Sequence, residues 1–132
     1  MRFFYTFIMD KKAKNHFNTA KENLKDANSE LFKPEEDVVS YLVCKNSQIA
    51  IENYLKGYLS LRGFETNKGE TLQSLLDRCK SLNSKFNQVD IDTIDCKAHK
   101  MDSRYCQDVN KVTSCFDAAD NLDTFLRKLN II

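Results

Sequence analysis

Pro34 and the glycines at 57, 63 and 69 are the only strong chain breakers in 132 residues. Sheet-rich folds turn every ten or so positions and need Gly, Pro, Asn or Asp to do so, so long unbroken stretches favour helices. In those stretches the apolar residues recur at the helical period. Ala13, Phe17, Ala20, Leu24, Ala27 and Leu31 follow one another at steps of four and three. That stripe predicts a first helix from about Asp10 to Phe32, with Asp10 as its N-cap.

Lys33-Pro34 interrupts the chain. Proline fits the first position of a new helix, and Glu35, Glu36 and Asp37 then fill the turn where the helix dipole favours negative charge. A second helix is predicted from Pro34 to Arg62, with Gly63 as a left-handed cap. It is apolar over most of its circumference. Val39, Leu42 and Ile49 lie on one side, Val43, Ala50, Tyr54 and Leu61 on another, and Cys44, Ile51, Leu55 and Tyr58 widen the arc. Only a narrow strip through Lys45, Glu52 and Lys56 is charged. Such a helix is contacted from several directions, either at the centre of its own bundle or between that bundle and a partner chain. Gly57 inside it costs about 1 kcal/mol against alanine, which close approach of another helix compensates.

Beyond a polar loop at 64–70, a third helix is predicted over Thr71–Leu82, with Leu72, Leu75, Leu76, Cys79 and Leu82 inward. A polar connection at 81–87 leads to a short fourth helix at about Asp90–Ala98. After an irregular stretch from His99 to Gln107, a fifth runs from Asp108 to Leu129 on the stripe Val109, Val112, Phe116, Ala119, Leu122, Leu126 and Leu129. The expected fold is all-α. It is an antiparallel, up-and-down bundle of four long or medium helices plus one short helix, in a single domain over 10–132. Residues 1–9 are expected as an apolar N-terminal arm that packs on the domain or on a second copy. They alternatively extend the first helix, or precede a natural start at Met9.

Charge narrows the function classes. The 20 basic and 19 acidic side chains leave a net +1, which supplies no general pull toward nucleic-acid backbones. The slight basic excess in residues 1–33, seven Lys/Arg against four Asp/Glu, reads as solvated helix faces. No apolar run is long enough to cross a membrane. The five cysteines, Cys44, Cys79, Cys96, Cys106 and Cys115, include no C-x-x-C pair and follow no secretory signal, so reduced thiols in the cytoplasm are expected. Cys96, His99 and Cys106, with His16 elsewhere, fall short of the two close pairs that a structural zinc site wants, and no metal or cofactor is expected. A cysteine nucleophile needs a histidine base. Cys106 with His99 is the one candidate, and core or loop roles are favoured for both. Glu52 and Lys56 stand at i,i+4 in the favourable order for an ion pair. Arg104-Tyr105 ends the irregular stretch, where an arginine can pair with a carboxylate, cap a helix or grip a phosphate. There is no glycine-rich phosphate loop, no H-E-x-x-H and no G-x-S-x-G.

The run from Ser47 to Leu59 resembles the signature helix of HEPN domains, with Gln48, Glu52, Lys56 and Gly63 in the family's pattern. Glu70-Thr-Leu-Gln-Ser-Leu-Leu76 is similar to the segment that usually begins His-Asp-Leu, with Thr71 or its neighbour replacing the histidine. Ser103-Arg104-Tyr105-Cys106 resembles the family's Arg-Tyr-Pro stretch, with cysteine for proline. The resemblance spans residues 10–130. It implies a helical bundle that commonly dimerises, often as partner of a minimal nucleotidyltransferase in a toxin–antitoxin-like pair, and a nucleotide or RNA ligand. Other members are metal-independent ribonucleases carrying an arginine followed after four to six residues by a histidine. Here the window after Arg104 holds Val109, Asn110 and Lys111, and neither His16 nor His99 follows an arginine at that distance. The expectation is therefore a non-catalytic, homodimeric binding module whose ligand contacts are Gln48, Glu52, Lys56, Arg104 and Tyr105. A ribonuclease with a degenerate site, using Arg104 with Asn110 or Lys111, and a purely structural adaptor are the alternatives.

Overall fold

The stripe on the first helix needs an apolar surface to cover it, and the second helix supplies one. The computed structural model describes residues 2–34, 38–91 and 109–132, and every regular element among them is helical. α1 spans Arg2–Leu31 and α2 spans Ser40–Leu61. α3 spans Leu72–Leu82, a 3-10 turn covers Ser84–Gln88, and α4 spans Val109–Lys128. α2 packs against α1, α3 and α4, while α1 also touches α4. Ala13, Phe17, Ala20 and Ala27 of α1 are buried as their spacing requires.

α2 is the central helix. Val43, Cys44, Ala50, Ile51, Tyr54, Leu55, Tyr58 and Leu59 are all buried. On the side formed by Val39, Leu42 and Ile49 the described residues leave Val39 45% and Leu42 36% exposed, and Leu61 on the second side is 38% exposed. Gly57 lies where α1 comes closest. A Cβ there would stand 2.5 Å from Phe17 Cε1 and 2.7 Å from Cδ1. The missing side chain is the space the Phe17 ring occupies.

Contact pairs give the helix directions. His16 meets Asn53 and Leu31 precedes the turn into Ser40, so α1 and α2 are antiparallel. The Cys79 thiol reaches the Leu55 carbonyl at 3.8 Å, which runs α3 back along α2. Cys44 meets Cys115 and Tyr54 meets Asp123, both steps advancing together, so α4 runs parallel to α2. Neighbours along the chain thus alternate in direction, while α2 and α4 pack side by side.

Several expectations need correction at the element ends. α1 begins at Arg2, so residues 2–9, expected as an arm, carry the helical backbone of α1, and Asp10 lies inside the helix rather than capping it. Pro34 is outside any helix. α2 starts only at Ser40, behind an extended Val39 that makes no side-chain cap, because Val38 first packs against the core. The acidic residues 35–37 and most of the expected fourth helix fall outside the described residues, although Ile91 is buried as expected. The connection expected at 81–87 forms a 3-10 turn that buries Phe86. Its ring lies 4.6 Å from that of Tyr58 and 4.9 Å from that of Phe125, tying α2 to α4 through a tilted and an edge-on ring contact.

Tyr54, Asp123 and Arg127 pair within the α2–α4 seam, whereas the buried Ser47 hydroxyl of α2 has no hydrogen-bond partner among the described residues. The buried Tyr54 hydroxyl donates to Asp123 Oδ2, and Arg127 Nε donates to Asp123 Oδ1 at 2.5 Å. Burial, then the bond to Asp123 and its charge, push the Tyr54 phenol far above its ordinary 10.0. Cys44, Cys79 and Cys115 are buried thiols. Burial pushes the Cys79 thiol up to about 12, whereas a hydrogen bond from Cys44 holds Cys115 below the ordinary range against its own burial.

Two measurements test this packing. Gly57→Ala gains helix propensity yet should lose about 1–3 kcal/mol net to overpacking, and Phe17→Leu in the same chain should recover part of that loss in urea melts. Tyr54→Phe removes the buried donor to Asp123 and should cost about 1–3 kcal/mol at neutral pH. A raised folded pKa means the unfolded chain ionises first. Tyr54 therefore contributes fully below pH 10.0 and progressively less above it, so the wild type should lose more stability than Tyr54→Phe on going above that pH.

Candidate functional site

The loop from α2 to α3 is held at both ends. After Leu61 the chain turns through Gly63 at φ 86°, with Phe64 N–H donating to Leu59 O at 2.9 Å and Gly63 N–H to Ser60 O at 3.0 Å. This is the paired-bond helix ending that a left-handed glycine permits. At the other end the Thr71 hydroxyl accepts from Ser74 N–H at 3.0 Å and caps α3. Arg78 then reaches back from α3. Its Nη1 donates to both Glu70 oxygens at 2.9 and 3.0 Å, and its Nη2 to the Glu65 carbonyl at 2.8 Å. Burial would raise the Glu70 carboxyl. Its bonds from Arg78, Asn67 N–H and the Ser74 hydroxyl outweigh that and hold it below its ordinary 4.5.

The loop so anchored forms the third wall of an open groove of about 500 Å³. Lys12, Asn15 and His16 come from α1, Lys56 and Ser60 from α2, and Glu65, Thr66 and Lys68 from the loop. His16 is oriented. Its Nδ1 lies 3.0 Å from Asn53 Oδ1, while Asn53 Nδ2 donates to the Ile49 carbonyl at 2.9 Å. That second bond fixes which end of the amide faces the ring, so Nδ1 carries the proton and Nε2 is the nitrogen left over. Lys56 is only 16% exposed and pairs with Glu52 at 2.7 Å.

Of the residues expected at the site, Glu52 and Lys56 are thus joined, and Gln48 stands one helical turn earlier on the same strip, half-buried. Arg104 and Tyr105 lie outside the described residues, as do Cys96, His99 and Cys106. Lys12, His16, Asn53 and the loop residues were not foreseen, because they come from three separate segments of the chain. A second cavity of about 270 Å³ lies between α4 and the end of the 3-10 turn, with Asp90, Asn121, Phe125 and Lys128 in its wall. Among the described residues no group of three or more His, Cys, Asp or Glu side chains could hold a metal ion. No described helix is long and apolar enough to cross a membrane.

The helical order, the Gln48–Glu52–Lys56 strip and the Gly63 ending can now be set beside known proteins. The family model for the HEPN domain matches residues 11–129. The chain belongs to the HEPN domain family. No curated protein and no solved structure matches it. For this HEPN domain the match begins within α1 and closes just beyond α4, so it takes in all three walls of the groove.

The Glu70 anchor has an acid signature. A depressed folded pKa contributes stability that is present above 4.5 and is lost as pH falls through the folded value. Glu70→Gln should therefore be less stable than wild type at neutral pH, and the gap should shrink below pH 4 in denaturant melts followed by circular dichroism.

Proposed function

We propose that this HEPN domain is a non-catalytic cytoplasmic binding module that works as a homodimer and holds a nucleotide-type ligand, in free form or on behalf of a minimal nucleotidyltransferase. The observation that carries the reading is Lys56. Its ammonium is held by Glu52 at 2.7 Å and is largely shielded, yet it borders an open polar groove. A cation fixed in place beside a concave polar surface suits a phosphate-bearing ligand, since little side-chain freedom is lost on binding. The non-catalytic part rests on the chain's lack of an arginine followed at the family's spacing by a histidine. The dimer reading is supported by the uncovered apolar residues where α1 hands over to α2, Phe32 at 80% exposure with Val39 and Leu42.

Calorimetric titration with ATP, other nucleotides and short RNA should give saturable heat with at least one nucleotide, weakened at least fivefold by Lys56→Ala. Flat heats for all of them up to millimolar concentration would remove the ligand reading. Sedimentation should give about twice 15.3 kDa, and Leu42→Asp should return the mass of one chain. A monomeric wild type at micromolar concentration would remove the dimer.

A further inference from the structure

We propose that the groove between α1, α2 and the anchored loop seats the phosphate end of a small phosphate ester, with Lys12, Lys56 and Lys68 as its cations. This rests on the ligand reading above for whatever the phosphate is attached to. Each wall contributes one ammonium group, Lys12 from α1, Lys56 from α2 and Lys68 from the loop. The remaining lining is rich in neutral hydrogen-bonding groups, including Ser60 and Thr66, and the His16 ring is oriented by Asn53. The lining holds no Phe, Tyr or Trp, and its one ring, that of His16, is engaged through Nδ1 with Asn53, so the groove offers little platform on which a base would stack. Recognition there is recognition of the anion, and a nucleoside would extend beyond it. The volume of about 500 Å³ lies within the range of small-molecule sites.

The carboxylates paired with the groove's lysines set the terms of binding. Glu52 is committed to Lys56 at 2.7 Å. Glu65 stands 3.9 Å from Lys12, too far for a hydrogen bond, and the two side chains are 75% and 53% exposed. An exposed pair of that kind is weak. Glu65 acts as a resident competitor that an incoming phosphate displaces from Lys12. The loop backbone need not move for this, because Arg78 grips the Glu65 carbonyl and not its carboxylate.

The test is calorimetric titration of the full chain at low ionic strength with inorganic pyrophosphate, AMP, ATP and adenosine. Lys12→Ala, Lys68→Ala and Glu65→Gln are the variants, all at exposed positions. Pyrophosphate and AMP should bind and adenosine should not. Each lysine substitution should weaken both anions about tenfold, and Glu65→Gln should tighten them a few-fold. AMP binding unchanged in both lysine variants would overturn the groove while leaving a nucleotide site elsewhere. Adenosine binding as well as AMP would also overturn it. Pyrophosphate binding that both lysine variants weaken, with neither AMP nor ATP bound, would uphold the groove and sink the nucleotide reading. Absence of heat with every anion would overturn both.

Discussion

The fold depends on one close approach, the Phe17 ring of α1 lying against the bare backbone of Gly57. With any side chain at 57 the two helices would stand further apart. The polar bridge from His16 to Asn53, one helical turn away along α2, would then be stretched beyond hydrogen-bonding distance. The apolar packing and the orientation of the groove histidine therefore share a cause. α2 also receives α3 through Cys79 and α4 through Tyr54, so three interfaces are referred to one helix, and its residues admit little change in volume.

Much of this was legible in the chain. A 3.6-residue stripe reports which face of a helix is buried, and the stripes of α1, α3 and α4 pointed to Ala13, Leu75, Leu76, Leu122 and Leu126, all buried. Gly63 was readable as a helix ending and Gly57 as a contact point, because glycine within or just after an apolar run has few other uses. The start of α2 was not readable. Proline followed by three acidic residues satisfies every local rule for a first turn, but the demand of Val38 for the core delays the helix to Ser40. Phe86 was passed over because a lone aromatic in a polar stretch has no period to reveal it.

The candidate site was half legible for a similar reason. Glu52 and Lys56 are neighbours in sequence terms, four positions apart on one helix, and they pair. The hold of Arg78 on Glu70 spans eight positions around a loop and a cap, and the bridge from His16 to Asn53 spans thirty-seven. Contacts of that kind depend on the geometry of packed elements and leave no local pattern. The parallel run of α4 beside α2 likewise depends on how the intervening chain returns.

That parallel arrangement has an electrostatic consequence. Antiparallel helices cancel each other's macrodipoles, and α1 does this for α2. α4, lying alongside α2 in the same sense, adds a second axial dipole, which α3 and the extra length of α1 over α2 together nearly offset. What remains is local, a negative pole at the carboxyl end of each helix, that of α4 included. Arg127 and Lys128 sit in the last turn of α4, where their positive charge opposes that pole. Arg127 therefore has two tasks, neutralising Asp123 in the seam and damping the field of the helix it ends.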